Sequence, residues 1–184
     1  MYILTDYQLY IGEREHIMII AIEGVDPKIN LAVAEQIKLK SPFAKLINIT
    51  FNENHRDPHL FCSELDQYIR TITDSVNNNN VLTIACQYEF YIRSMANLFG
   101  IKDDVLDEKL NKIRTADYRF FLDKDVDDMM PIEEYIKIMK IHKSDIYTQY
   151  NLDAKNSMDQ YFLFNIGNGV SSIEQVIFKA VSLV

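Results

Sequence analysis

Three short stretches of this chain are almost continuously apolar: Ile17-Met18-Ile19-Ile20-Ala21-Ile22, Val81-Leu82-Thr83-Ile84-Ala85-Cys86 and Phe120-Phe121-Leu122. A strand with one wet face alternates apolar and polar residues. A run without alternation fits a strand covered on both faces, as in a parallel sheet between two layers of helices. The segments between these runs have helical spacing instead. Ile29, Leu31, Val33, Ala34 and Ile37 form an imperfect stripe through about residue 40, where Pro42 stops it. Leu60, Phe61, Leu65, Tyr68, Ile69 and Ile72 form a second, which ends in the turn of Asn77, Asn78, Asn79 and Asn80. Further helices are expected at 90–99, capped by Gly100, at 131–143, opened by Pro131, and at 173–184. Strands are expected at 45–51 and 161–166, with a loop at 52–58. This alternation predicts an α/β fold in three layers, α/β/α, with a mostly parallel central sheet. The 184 residues suit a single domain, 1–184, with residues 1–15 leaving room for an added N-terminal strand or hairpin.

Charge narrows the function. Acidic residues outnumber basic ones 27 to 19, giving a formal charge of −8, and the basic residues form no cluster. Neither nucleic acid nor a membrane surface is expected as a partner. No apolar run approaches the ~18 residues that span a bilayer. Cys62 and Cys86 sit among apolar neighbours, which suits buried thiols in a reducing compartment, so a cytoplasmic location is expected. His55 and His59 would share a helix face, but Pro58 between them favours a solvated loop. Asp123, Asp125, Asp127 and Asp128 lack the glycine and distal glutamate of a calcium loop and read as a solvated turn. No metal and no cofactor are expected.

The turn after the first apolar run reads Glu23-Gly24-Val25-Asp26-Pro27-Lys28-Ile29-Asn30-Leu31, followed by Ala32-Val33-Ala34-Glu35. This resembles the opening of thymidylate kinases, in which a strand ends in Glu-Gly-x-Asp and a phosphate loop leads into a helix with a Leu-Ala-Glu-like pattern. The resemblance implies a P-loop nucleotide-kinase fold. A working phosphate loop, Gly-x4-Gly-Lys-Ser/Thr, needs backbone N–H groups free to approach phosphate, a lysine on the β- and γ-phosphates and a hydroxyl on magnesium. Here Ile29 stands at the second glycine, Asn30 at the lysine and Leu31 at the hydroxyl. The Cβ of Ile29 blocks close backbone approach, Asn30 removes the cation and Leu31 cannot bind magnesium. Moving Lys28 into the lysine position would take a two-residue deletion and leave Ile29 where the hydroxyl belongs. Gly24, Asp26, Pro27, Lys28, Ile29, Asn30 and Leu31 thus form a degenerate phosphate loop, with Asp26 expected to serve as a helix cap.

The later family motifs are eroded in the same way. Leu60-Phe61-Cys62 matches a Leu-Phe-(Ala/Cys)-like segment, similar to the poxvirus type, but Leu65 occupies the following arginine position. Cys86-Gln87-Tyr88 stands for Asp-Arg-Tyr. The frame of 115–123 is kept, whereas the arginine-bearing lid is replaced by the acidic Lys124-Asp125-Val126-Asp127-Asp128-Met129-Met130. Phe61, Leu65, Gln87 and Tyr88 therefore mark a candidate vestigial nucleotide pocket, with Arg56 as a candidate residual anion contact, although a loop arginine paired with Asp57 or solvent is the favoured reading. Phe90, Tyr91 and Phe99, near that pocket, are expected to pack in the core. The resemblance implies a catalytically inactive thymidylate-kinase-like protein that binds no ATP and acts through protein binding as a homodimer, since the family associates through helices across a two-fold axis. The alternatives are a dTMP-binding module without catalysis and a residual nucleoside monophosphate kinase. The missing lysine, hydroxyl and arginines weigh against the last.

Overall fold

In a computed structural model the described residues are 18–24, 26–48, 58–77, 82–124, 143–144, 148, 160–166 and 170–183. The expectations for residues 1–15, His55, Arg56, Asp125, Asp127, Asp128 and most of 131–143 lie outside them. Five strands, β1 (Met18–Glu23), β2 (Lys45–Asn48), β3 (Leu82–Cys86), β4 (Tyr118–Asp123) and β5 (Tyr161–Asn165), form one sheet in the order β2-β3-β1-β4-β5. Every pairing is parallel. The helices defined by the described residues are α1 (Pro27–Lys40), α2 (Pro58–Asn77), α3 (Glu89–Leu98), α4 (Asp103–Leu110) and α5 (Val170–Val181).

The unbroken apolar runs became the central strands for the reason given above. Ile19, Ala21, Ala85 and Phe121 join a core with α2, α3 and α4. Ile20, Ile22, Ile84, Cys86, Phe120 and Leu122 join a second core with α1 and α5. The two-residue period of a strand thus supplies both layers at once.

Three details differ from or extend the sequence reading. The helix α2 begins at Pro58, inside the segment expected as loop, because a first-turn proline sacrifices no helical hydrogen bond. The helix α4 was not anticipated, since among its described side chains only Leu106 and Leu110 are buried, a stripe too short to register. Gly100 ends α3 with φ +68° in a Schellman arrangement. The Ile101 N–H donates to the Ala96 carbonyl at 2.9 Å and the Gly100 N–H to the Asn97 carbonyl at 3.0 Å.

The chain leaves β1 toward β2 on one side, returns through β3 next to β1, and passes to β4 on the other. The carboxyl ends of β1, β3 and β4 therefore meet where the direction of winding changes, the place where open α/β sheets hold ligands.

Candidate functional site at the carboxyl edge of the sheet

The β1–α1 turn is short. Asp26 is the N-cap of α1, and its Oδ1 accepts the N–H groups of Lys28 and Ile29 at 3.1 and 3.3 Å. Pro27 has no N–H, and the Asn30 N–H donates to the Asp26 carbonyl at 3.0 Å. These N–H groups of the first helical turn are satisfied by Asp26 itself. Its other oxygen, Oδ2, lies 2.9 Å from Lys124 Nζ, just past β4. Lys143 Nζ in turn reaches the Lys124 carbonyl at 2.7 Å and Asp123 Oδ1 at 2.6 Å.

Asn30 closes the turn from beneath. Its side chain is buried, and Nδ2 donates to the Gly24 carbonyl at 2.9 Å. Its Oδ1 finds no hydrogen-bond partner among the described residues. Gly24 is needed because a Cβ there would stand 2.7 Å from the Leu122 carbonyl oxygen and 2.9 Å from Asn30 Oδ1. Of the residues expected to form a degenerate phosphate loop, Pro27, Lys28, Ile29, Asn30 and Leu31 are all helical. Lys28 is exposed, while Ile29 packs against the core shared by α1 and α5.

A second constellation occupies the other face of the same edge. Glu23, at the end of β1, is fully buried, and its Oε1 and Oε2 accept the N–H groups of Phe90 and Tyr91, in the first turn of α3, at 3.2 and 2.9 Å. Arg119 of β4 is 2% exposed. Its Nη1 lies 3.5 Å from Glu23 Oε1 and its Nη2 lies 2.7 Å from Glu89 Oε2. The guanidinium carbon stands 4.4 Å from the centre of the Phe90 ring, a cation–π contact. Burial pushes the Glu23 carboxyl up to about 7, against the opposing pull of Arg119 and the two N–H groups, with Glu89 adding to the rise. Burial alone would lower Arg119, but Glu23 and Glu89 together outweigh it and raise its value. The rise at Glu23 is a burial effect that Arg119 only partly offsets, whereas the rise at Arg119 comes from facing two carboxylates.

The residues read as a vestigial pocket are packed in the interior. Phe61, Leu65 and Tyr88 belong to one hydrophobic cluster, with the Phe61 ring centre 4.9 Å from that of Phe99. The Tyr88 hydroxyl donates to the Arg114 carbonyl at 2.6 Å. Gln87 is buried with φ +53°, and its carbonyl accepts the Tyr68 hydroxyl at 2.6 Å. Cys86 is buried and its thiol pushed up to about 12, first by desolvation, so it is not a nucleophile. Both cysteines are free. His59 is exposed at the start of α2. Among the described residues, no group of three or more His, Cys, Asp or Glu could hold a metal ion, and no helix is long and apolar enough to cross a membrane.

The sequence reading gave no role to Glu23, Arg119 or Lys124. A signal was available for the first two, since a charge at the end of, or within, an otherwise apolar strand must find a partner inside the protein. Lys124 carried no such signal, because its distance from Asp26 is set only when β4 pairs with β1.

The fold does have solved counterparts. A thymidylate kinase from Ehrlichia chaffeensis superposes with a TM-score of 0.57 over 90% of this chain and 97% of its own, at 14% identity. The chain has a P-loop-kinase-like fold. A gluconokinase from Sinorhizobium meliloti also aligns, over 92% of this chain and 94% of its own at 13% identity, with a TM-score of 0.40. No family model and no curated protein matches the sequence.

Proposed function

We propose that this chain is a catalytically inactive protein of thymidylate kinase type that acts through binding, as a homodimer in the cytoplasm. The observation that carries this reading is the start of α1 directly behind Asp26. Residues that a phosphate loop would wrap around an anion are helix here, and the N–H groups of Lys28 and Ile29 already serve a carboxylate. A triphosphate would have to displace that carboxylate from Lys124 as well. It would gain no lysine at Asn30 and no magnesium-binding hydroxyl at Leu31. The family assignment, including the poxvirus-like Leu60-Phe61-Cys62, rests on the motif frame together with the likeness to the Ehrlichia chaffeensis enzyme.

Association is supported by large apolar side chains left in water. Leu39 is 70% exposed, Phe43 91% and Phe178 78%. They lie at the end of α1, in the turn after it and on α5, and both helices cover the same face of the sheet. A two-fold interface would bury such residues. The interior positions of Phe61 and Tyr88 speak against the nucleotide-binding alternative, because they offer a base no open ring face.

Calorimetric titration with ATP–magnesium and with dTMP tests the reading, and neither is expected to give saturable heat. ATP binding or ADP formation would overturn the inactive assignment, while dTMP binding alone would favour the binding module. Sedimentation at micromolar concentration is expected to return twice the 21.5 kDa chain mass, and Phe178→Asp the monomer.

A further inference from the structure

Beneath α3 two carboxylates compete for one cation. Glu89 has an outward alternative, since its side chain is partly exposed and Arg93 Nη2 stands 3.5 Å from its Oε1. Glu23 has no such route, because it is sealed between β1, β4 and the first turn of α3. The other ionisable groups whose fields reach it are Tyr68 of α2, Cys86 of β3 and Tyr88 just before α3. Burial raises all three, so they stay neutral and add no charge of their own. With both carboxylates ionised the cluster carries one surplus negative charge, and that surplus falls on the residue cut off from water.

We propose that Glu23, Arg119 and Glu89 form a proton-operated joint between the β1–α1 turn and the first turn of α3, held while Glu23 carries a proton and loosened when it gives the proton up. Loosening admits water to a charge that is otherwise buried. The first place it can enter is beside the Phe90 and Tyr91 N–H groups, which donate to the Glu23 carboxylate. Gly24 follows Glu23 in the chain, so movement of Glu23 is passed directly to the turn that Asn30 holds.

The sign follows from linkage. Glu23 titrates at about 7 in the folded protein against an ordinary value of 4.5. Between these values the folded chain keeps a proton that the unfolded chain has released. The stability this group contributes is therefore fully present below the lower value and is lost as pH rises through the upper one.

The test is a carboxyl-carbon NMR titration of Glu23 in the full chain, combined with amide exchange of Phe90 and Tyr91 corrected for intrinsic pH dependence. The expected Glu23 midpoint lies near 7, with protection of both amides falling above it. Glu23→Gln should flatten that fall. Glu89→Gln removes the competing carboxylate and frees Arg119 for Glu23, so it should lower the midpoint by about one pH unit, a tenfold change in the proton equilibrium. A merely structural carboxylate would shift its midpoint without carrying the Phe90 and Tyr91 protection with it, whereas here the fall in protection should move with the lowered midpoint in Glu89→Gln. A midpoint near the ordinary value, an unmoved midpoint in Glu89→Gln, or an undiminished loss of protection in Glu23→Gln would each overturn the proposal. Should Glu23→Gln fail to fold, the Glu89→Gln arm decides alone, because Glu89 is partly exposed.

Discussion

The helices α1 and α3 both begin at the carboxyl edge of the sheet, and each receives a carboxylate at its N-terminus, but from different sources. Asp26 is the local cap of α1, with its side chain 14% exposed and its partner Lys124 at 22%. Glu23 reaches α3 across 67 positions of sequence and is wholly buried with Arg119. A local cap satisfies donors wherever the helix forms. A distant buried charge exists only when the sheet and α3 are already assembled, and its removal strands whatever it left behind.

Substitutions that break each end should therefore differ in size. Arg119→Met leaves Glu23 buried without its cation and is expected to cost about 3–5 kcal/mol at pH 8. Urea unfolding should show the loss shrinking at pH 5, where Glu23 takes a proton instead. Asn30→Ala comes next, since the buried Gly24 carbonyl loses its donor, with an expected loss of about 1–3 kcal/mol in the same measurement. Asp26→Ala should cost about 1 kcal/mol as a lost N-cap. Lys124→Ala should cost no more than about 1 kcal/mol, since a partly exposed pair is screened by water and salt, and raising the salt concentration should narrow its difference from the parent. If Asp26→Ala proved costlier than Arg119→Met, the contrast between the two ends would be lost.

The same contrast explains what could be read from the sequence. All five strands among the described residues were expected, and the three central ones, β1, β3 and β4, were legible because burial on both faces leaves a pattern in consecutive residues. The expectation of a degenerate phosphate loop also came from consecutive residues, as it concerns Asn30 at one position in a fixed spacing. Pairings across the fold left no such trace. Nothing near Glu23 names Phe90 and Tyr91 as its donors, and nothing near Lys124 names Asp26. The helix α4 was missed for the opposite reason, since a local pattern existed but contained only Leu106 and Leu110. Phe61 and Tyr88 could be placed near a former pocket from the motif order. Their full burial depended on packing by α2 and α3, which sequence order does not specify.

The account depends on the first turn of α1 being occupied by its own aspartate. Amide NMR shifts of Lys28 and Ile29, followed during titration with ATP–magnesium, test this at the atoms concerned. Both resonances are expected to stay in place up to millimolar nucleotide, and saturable movement of the two together would contradict the account.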